Sequence, residues 1–139
     1  MIHMKRTFSL FALLLACLLS GQMPAAAQPK PSVDVLYFHG KVRCKTCNAI
    51  EQQSLLTLRR HFAPQLKTGQ VTWRVVDISK EENRQLAEQY KVSWSSLILV
   101  TRKAGKSTPQ NLTQWAFTSV GDKQKYASGL RDRILRQLK

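Results

Sequence analysis

The chain has 139 residues, enough for one domain plus an appendage, and it shows no internal repeat or low-complexity stretch that would suggest an array or a disordered chain. Its longest apolar run falls short of the roughly 18 to 20 residues of a spanning helix, which argues against an integral membrane protein. Twenty-two Lys and Arg against eight Asp and Glu give a formal charge of +14, an excess that favours anionic partners.

Residues 1–27 read as a signal peptide. Lys5 and Arg6 form a positive opening, Phe8 to Leu19 form an apolar run broken only by Ser9, and Ala25-Ala26-Ala27 behind Pro24 supplies a small-residue cleavage site. Cleavage before Gln28 is expected, placing the mature chain in the periplasm or otherwise outside the cytoplasm. The alternative is a lipoprotein anchored at Cys17, since Leu14-Leu15-Ala16-Cys17 loosely resembles a lipobox. The bulk of Leu15 and the continuation of the run through Leu18 and Leu19 favour simple cleavage. The mature chain keeps 20 basic residues against eight acidic ones, a formal charge of +12. These are scattered, as on a solubilising surface, and also suit an anionic membrane surface, while export argues against nucleic acid.

Residues 28–32, with Pro29 and Pro31, read as a tether, and residues 33–139 as the domain. Val33 to His39 is rich in β-formers and stops at Gly40, which predicts a strand. Cys47, Ile50, Leu55, Leu58 and Phe62 then fall on one helical face, so a helix is expected over about 44–62, with Pro64 just beyond its end. Val71 to Ile78 reads as a strand buried on both sides, and Lys80 to Tyr90 as a polar helix with Leu86 and Ala87 inward. Leu97 to Thr101 predicts a third strand, and Gly105 marks a hairpin into a fourth over about 111–118. Tyr126, Leu130, Ile134 and Leu138, four apart, give a final helix with a core-facing stripe. The order β-α-β-α-β-β-α defines an α/β fold, a central mixed sheet flanked by helices.

The chemistry-bearing motif is Cys44-Lys45-Thr46-Cys47, set where the first strand hands over to the first helix. There the unpaired N–H groups and positive dipole end of the helix stabilise a thiolate at Cys44, and Cys47 lies beneath it on the same face. Cys44 is thus the attacking and Cys47 the resolving thiol. Lys41, Arg43 and Lys45 are basic and no acid occurs between Asp34 and Glu51. Arg43 and Lys45 are therefore expected to lower the Cys44 pKa and make the pair more oxidising than a purely reducing dithiol. His39, at the strand end, is a candidate for proton transfer.

A purely structural disulfide is the weaker reading, because closing so short a loop removes little chain entropy. The other alternative is a metal-binding or metal-delivery module using Cys44, Cys47 and His39 with an open position. His61 lies too far along the helix to join them.

Given these residues, Val33 to Lys139 resembles the thioredoxin superfamily over nearly its whole length. The matches are Tyr37-Phe38 running into Cys44-Lys45-Thr46-Cys47, then Val76-Asp77-Ile78, then Tyr90-Lys91-Val92 before Leu97-Ile98-Leu99. More narrowly, Tyr37-Phe38-His39-Gly40 followed by Arg43 to Cys47 resembles small exported bacterial proteins labelled as thioredoxin-like subunits of nitrophenyl-compound nitroreductases. That resemblance implies an electron relay with a small-molecule or nitroreductase-system partner.

Several positions depart from ordinary thioredoxins. Arg43 replaces an aromatic residue, Thr46 a common proline, and no acid ends the first strand. Ser96, four residues after Val92, stands where the family places a cis-proline. A non-proline cis bond costs about 2.5 to 4 kcal/mol, so the Ser95–Ser96 bond is expected to be trans. Trp94, Ser95 and Ser96 remain the loop expected to face Cys44 and substrate. The resulting expectation is an exported thiol-disulfide oxidoreductase working on a partner protein's dithiol or disulfide, with no cofactor.

Overall fold

The computed structural model describes residues 27–139, so the predicted signal peptide (but for Ala27) and the alternative anchor at Cys17 lie outside the described residues. Strand β1 (Ser32–His39) forms where Val33, Val35 and Tyr37 alternate with Leu36 and Phe38, so that both faces of the strand are apolar. A strand of that kind needs cover on both sides. It occupies an inner position in a four-stranded sheet. On one side it pairs in parallel with β2 (Val71–Asp77), and on the other it pairs antiparallel with β3 (Ser96–Lys103). Strand β4 (Lys106–Asn111) adds antiparallel to β3, giving the order β2-β1-β3-β4 and the mixed sheet expected.

The two faces of β1 feed two separate apolar clusters. Val33, Val35 and Tyr37 pack with Ile50 and Leu58 of helix α1 (Lys45–His61) and with Tyr126, Leu130 and Ile134 of the last helix (Lys123–Gln137). Leu36 and Phe38 pack on the opposite face with Val76, Val92 and Ile98. That second face is covered by the segment between β2 and β3, a single 3₁₀ turn (Glu81–Asn83) running into helix α3 (Arg84–Gln89). Helices thus flank the sheet on both sides.

The architecture corrects two local expectations. Val71 to Ile78, read as a strand buried on both sides, forms β2 at the edge of the sheet, with Arg74 and Val75 exposed. Helix α1 ends at His61, so Pro64 lies just beyond it as expected, in the first turn of a short further helix α2 (Ala63–Thr68). Proline is tolerated there because its missing N–H would have no intrahelical partner. Gly69, in the left-handed region at φ 76°, closes this helix. The second correction concerns residues 111–118, expected as a strand. The hairpin strand comes earlier, as β4, and Thr113–Ser119 forms helix α4. Leu112, Ala116 and Val120, four apart, are all buried, and the Ala116 and Val120 N–H groups donate to the Leu112 and Ala116 carbonyls. That helical stripe prevails over the alternation of Trp115 and Phe117. Strand β4 left no burial pattern to read, since all six of its residues are exposed and Pro109 sits among them, as befits an edge strand. Ala104 and Gly105, with φ of 50° and 74°, make the tight turn into it.

The last helix, α5 in chain order, starts at Asp122, whose carboxylate accepts from the Lys125 N–H at 3.0 Å. It is locked to α1 by the buried hydroxyl pair of Ser54 and Tyr126, 2.7 Å apart. Trp115 stacks on Tyr126 with ring centroids 4.9 Å apart, and the Arg133 guanidinium lies 4.2 Å from the Trp115 ring. Gly129 faces this stack: a Cβ there would stand 2.7 Å from Trp115 Cζ2. Helix propensity alone favours Ala over Gly by about 1 kcal/mol. The indole, stacked on Tyr126 and contacted by Arg133, would have to leave that packing to make room, so Gly129→Ala is expected to destabilise the protein by about 1 to 2 kcal/mol in urea unfolding.

Candidate functional site

Strand β1 delivers the chain to Gly40, and residues 40–43 carry it to the start of α1. Cys44 is the N-cap of that helix, extended at φ −79° and ψ 163°, with its Sγ accepting from the Cys47 N–H at 3.0 Å. The first turn holds no acidic residue. The sulfur therefore takes the place a Ser or Asp oxygen takes in an ordinary cap, at the positive end of the helix dipole. Cys44 is exposed, whereas Cys47 is only 7% exposed, and the two are joined as a disulfide with Cα atoms 5.1 Å apart.

Beneath the pair lies a group that sequence reading did not assign to the site. Tyr37, on the face of β1 turned toward α1, is fully buried, and its hydroxyl donates to the Cys47 carbonyl at 2.7 Å. Burial raises the phenol pKa above its ordinary value, against the opposing pull of Ser95 and then Arg43 beside the hydroxyl. Arg43 lies over the Tyr37 ring, its guanidinium carbon 6.0 Å from the centroid, and its Nη2 forms an ion pair with the Glu51 carboxylate. Both side chains are largely covered, at 28% and 26% exposure. Burial works against the charge on Arg43, but the bond and charge pairing with Glu51 outweigh it and leave the guanidinium pKa above its usual value. Arg43 is thus no free cation beside Cys44. Of the three basic neighbours, Lys41 and Lys45 are the exposed ones. Glu51 was legible in outline, because it follows Cys47 by four residues and so shares its helical face.

The loop expected to face the dithiol is tied to it through Tyr37. Ser95 and Ser96 are buried, and Ser95 stands beside the Tyr37 hydroxyl. Ser96 opens β3 opposite Phe38, and its hydroxyl donates to the Trp94 carbonyl at 3.0 Å. Peptide bonds among the described residues are trans, Ser95–Ser96 included. Trp94 is 59% exposed and packs against Phe117 of α4 with ring centroids 5.6 Å apart, walling a groove of about 670 Å³ with Gln114 and Thr118. His39 is half-buried, and its Nδ1 donates to the neighbouring Gly40 carbonyl at 2.9 Å. Among the described residues no group of three or more His, Cys, Asp or Glu is placed to hold a metal ion, so His39 does not complete a site with Cys44 and Cys47.

The site is built on a thioredoxin-like fold. Human ERp44 shares 17% identity with the chain at a TM-score of 0.50, over 78% of this chain and 26% of that one; the chain spans about a quarter of the ERp44 length. A thioredoxin from Thermus thermophilus shares 18% identity at a TM-score of 0.49 over 76% of each chain, and a structure described only as a malarial protein 22% at 0.46 over 75% and 98%. No protein-family model and no curated protein matches the chain.

The buried phenol carries a pH signature. A tyrosine whose folded-state pKa is raised stabilises the fold fully below its unfolded value, about 10, and loses that stabilisation as pH rises toward the folded value. Tyr37→Phe is expected to cost about 1 kcal/mol at pH 8 through the lost hydrogen bond. Urea unfolding repeated up to pH 11 should show stability falling more steeply in the wild type than in the variant.

Proposed function

We propose that this protein is a thiol-disulfide oxidoreductase in which Cys44 exchanges with substrate and Cys47 resolves. The observation that carries this reading is the asymmetry of the pair: an exposed cysteine whose sulfur caps a helix N-terminus, bonded to a buried cysteine three residues on.

In the reducing direction the Cys44 thiolate attacks one sulfur of a substrate disulfide. A Cys44–substrate disulfide forms, the substrate S–S bond breaks, and the expelled thiolate takes a proton. The Cys47 thiol then gives up its proton and its sulfur attacks Cys44 Sγ. The second substrate thiol leaves, and two electrons have passed from the dithiol to the substrate. The oxidising direction is the reverse. Both steps need only the two sulfurs, a proton acceptor and the helix N-terminus, so no organic cofactor enters.

The charge-stabilised N-cap position favours the reduced form, which supports a potential on the oxidising side of thioredoxin, above about −270 mV. The leader-like segment of residues 1–27 supports action outside the cytoplasm, where the basic surface suits contact with an anionic membrane. The motif resemblance of residues 37–47 extends the proposal to an electron relay within a nitroaromatic-reducing system.

The test is turnover by the wild type, Cys44→Ser and Cys47→Ser in a protein-disulfide reduction assay, with partner capture from the native host. Both substitutions are expected to lower turnover at least a hundredfold. Cys47→Ser should accumulate mixed disulfides through Cys44, and Cys44→Ser should not. Undiminished turnover in Cys44→Ser would overturn the assignment. The captured proteins also test the narrower reading, since a relay of this kind should trap a component of the nitroaromatic-reducing system.

A further inference from the structure

The Arg43–Glu51 pair has no part in the exchange steps above, yet it lies against the residue that bonds Cys47. We infer that Glu51 is a positioning residue for the dithiol: it holds the Arg43 guanidinium over Tyr37 and so withholds that positive charge from the Cys44 thiolate. The inference rests on the oxidoreductase reading and deepens it.

Three observations carry it. Arg43 directly precedes Cys44, so an unrestrained guanidinium has the reach to approach the cap sulfur. In the structure it instead pairs with the carboxylate of Glu51, whose backbone position is seven residues, about 10 Å of helical rise, beyond that of Cys44. It is largely covered there, over the Tyr37 ring, with its Nε buried and without a hydrogen-bond partner among the described residues. A cation so placed depends on its counter-charge: remove the carboxylate, and an uncompensated, partly buried charge moves toward water. Arg43 directly precedes the exposed Cys44, and its neighbours Lys41 and Lys45 lie in solvent, so a released guanidinium enters solvent beside the cap sulfur.

The groups nearest this pair are the Tyr37 phenol from β1, with His39 two residues on along the same strand face and ring centroids 6.4 Å apart, the Ser95 hydroxyl from the loop before β3, and Cys47 on α1 itself. The phenol and the hydroxyl are uncharged near neutral pH, and an imidazole carries no negative charge. Glu51 is therefore the carboxylate that decides whether Arg43 acts on the dithiol.

The redox consequence concerns the equilibrium of reduced protein plus oxidised glutathione with disulfide protein plus two reduced glutathiones. Stabilising the thiolate shifts it toward the reduced protein.

The experiment is a double-mutant cycle on the full-length chain, with Glu51→Gln, Arg43→Gln and the pair. In each variant the pH profile of iodoacetamide alkylation is followed at the Cys44 peptide by mass spectrometry, and the glutathione equilibrium is measured. Glu51→Gln is expected to raise the thiolate fraction of Cys44 below its midpoint pH about fivefold. It should shift the glutathione equilibrium by a similar factor, about 20 mV at roughly 30 mV per decade. In the Arg43→Gln background the same substitution should change both by less than about twofold. Equal shifts in the two backgrounds, or none in either, would overturn the inference. Should Glu51→Gln not fold, Glu51→Asp, which draws the carboxylate back from the guanidinium, should move both readings the same way. Its failure to do so equally refutes the idea. The alkylation profile needs no substrate, so its outcome is independent of whether turnover is found.

Discussion

One hydrogen bond, from the Tyr37 hydroxyl to the Cys47 carbonyl, joins the central strand to the first turn of the dithiol helix. It fixes the turn that carries both sulfurs relative to the sheet. Tyr37 is paired on one side with Val75 of β2 and on the other with Leu97 of β3, so it cannot shift without moving three strands. The neighbourhood of the hydroxyl then collects the rest of the site: Ser95 approaches from the loop before β3, and Arg43 covers the ring from the loop before α1. A buried phenol is suited to this place because it bonds without bringing a charge into the core.

That choice separates the packing requirement from the electrostatic one. A carboxylate beneath Cys47 would oppose formation of a thiolate through like charge, whereas a phenol held protonated by burial has no such effect. The N-cap geometry at Cys44 offers negative charge on sulfur the Cys47 N–H and the helix end. The cation adjacent in sequence is paired with Glu51, while Lys41 and Lys45 stay exposed. The three basic residues that look alike in a row of letters are thus placed differently, one across a buried phenol and two in solvent.

The legible part of the fold was the part with strong periodicity. Val33 to Phe38, then Cys47, Ile50, Leu58 and Phe62, then Tyr126, Leu130 and Ile134 are buried as their spacing predicts, while Leu55 and Leu138 of the same stripes are half-buried. Besides β2, whose edge position exposes Arg74 and Val75, two elements were misread for opposite reasons. Strand β4 buries nothing, so no apolar pattern announces it, and only the Ala104-Gly105 turn and its partner β3 create it. Helix α4 carries Trp115 and Phe117 in alternation, a strand-like signal that loses to the four-residue spacing of Leu112, Ala116 and Val120 once the sheet offers a surface to bury them. Thr113 shows the tertiary part of that decision, since its hydroxyl accepts from the Leu97 N–H at 3.1 Å, on a strand 16 residues earlier.

At the site the division is similar. The cysteine pair and its strand-to-helix setting were readable because local spacing alone places a cap residue and a buried partner on one helical face. Tyr37 and Glu51 were not assigned, because their roles arise only when β1 and α1 are laid together. Tyr37 is seven residues before Cys44 and Glu51 seven after it, yet Arg43 contacts both side chains. A strand rises about 3.3 Å per residue and a helix 1.5 Å, so equal separations in sequence correspond to unequal distances in space. The chain doubles back between them through residues 40–43, and that reversal is what turns a surface cation beside a thiol into one held across a buried phenol. The electrostatics of the dithiol therefore belong to the strand–helix unit as a whole, and a basic residue next to a Cys-x-x-Cys motif is informative only once its counter-charge is located.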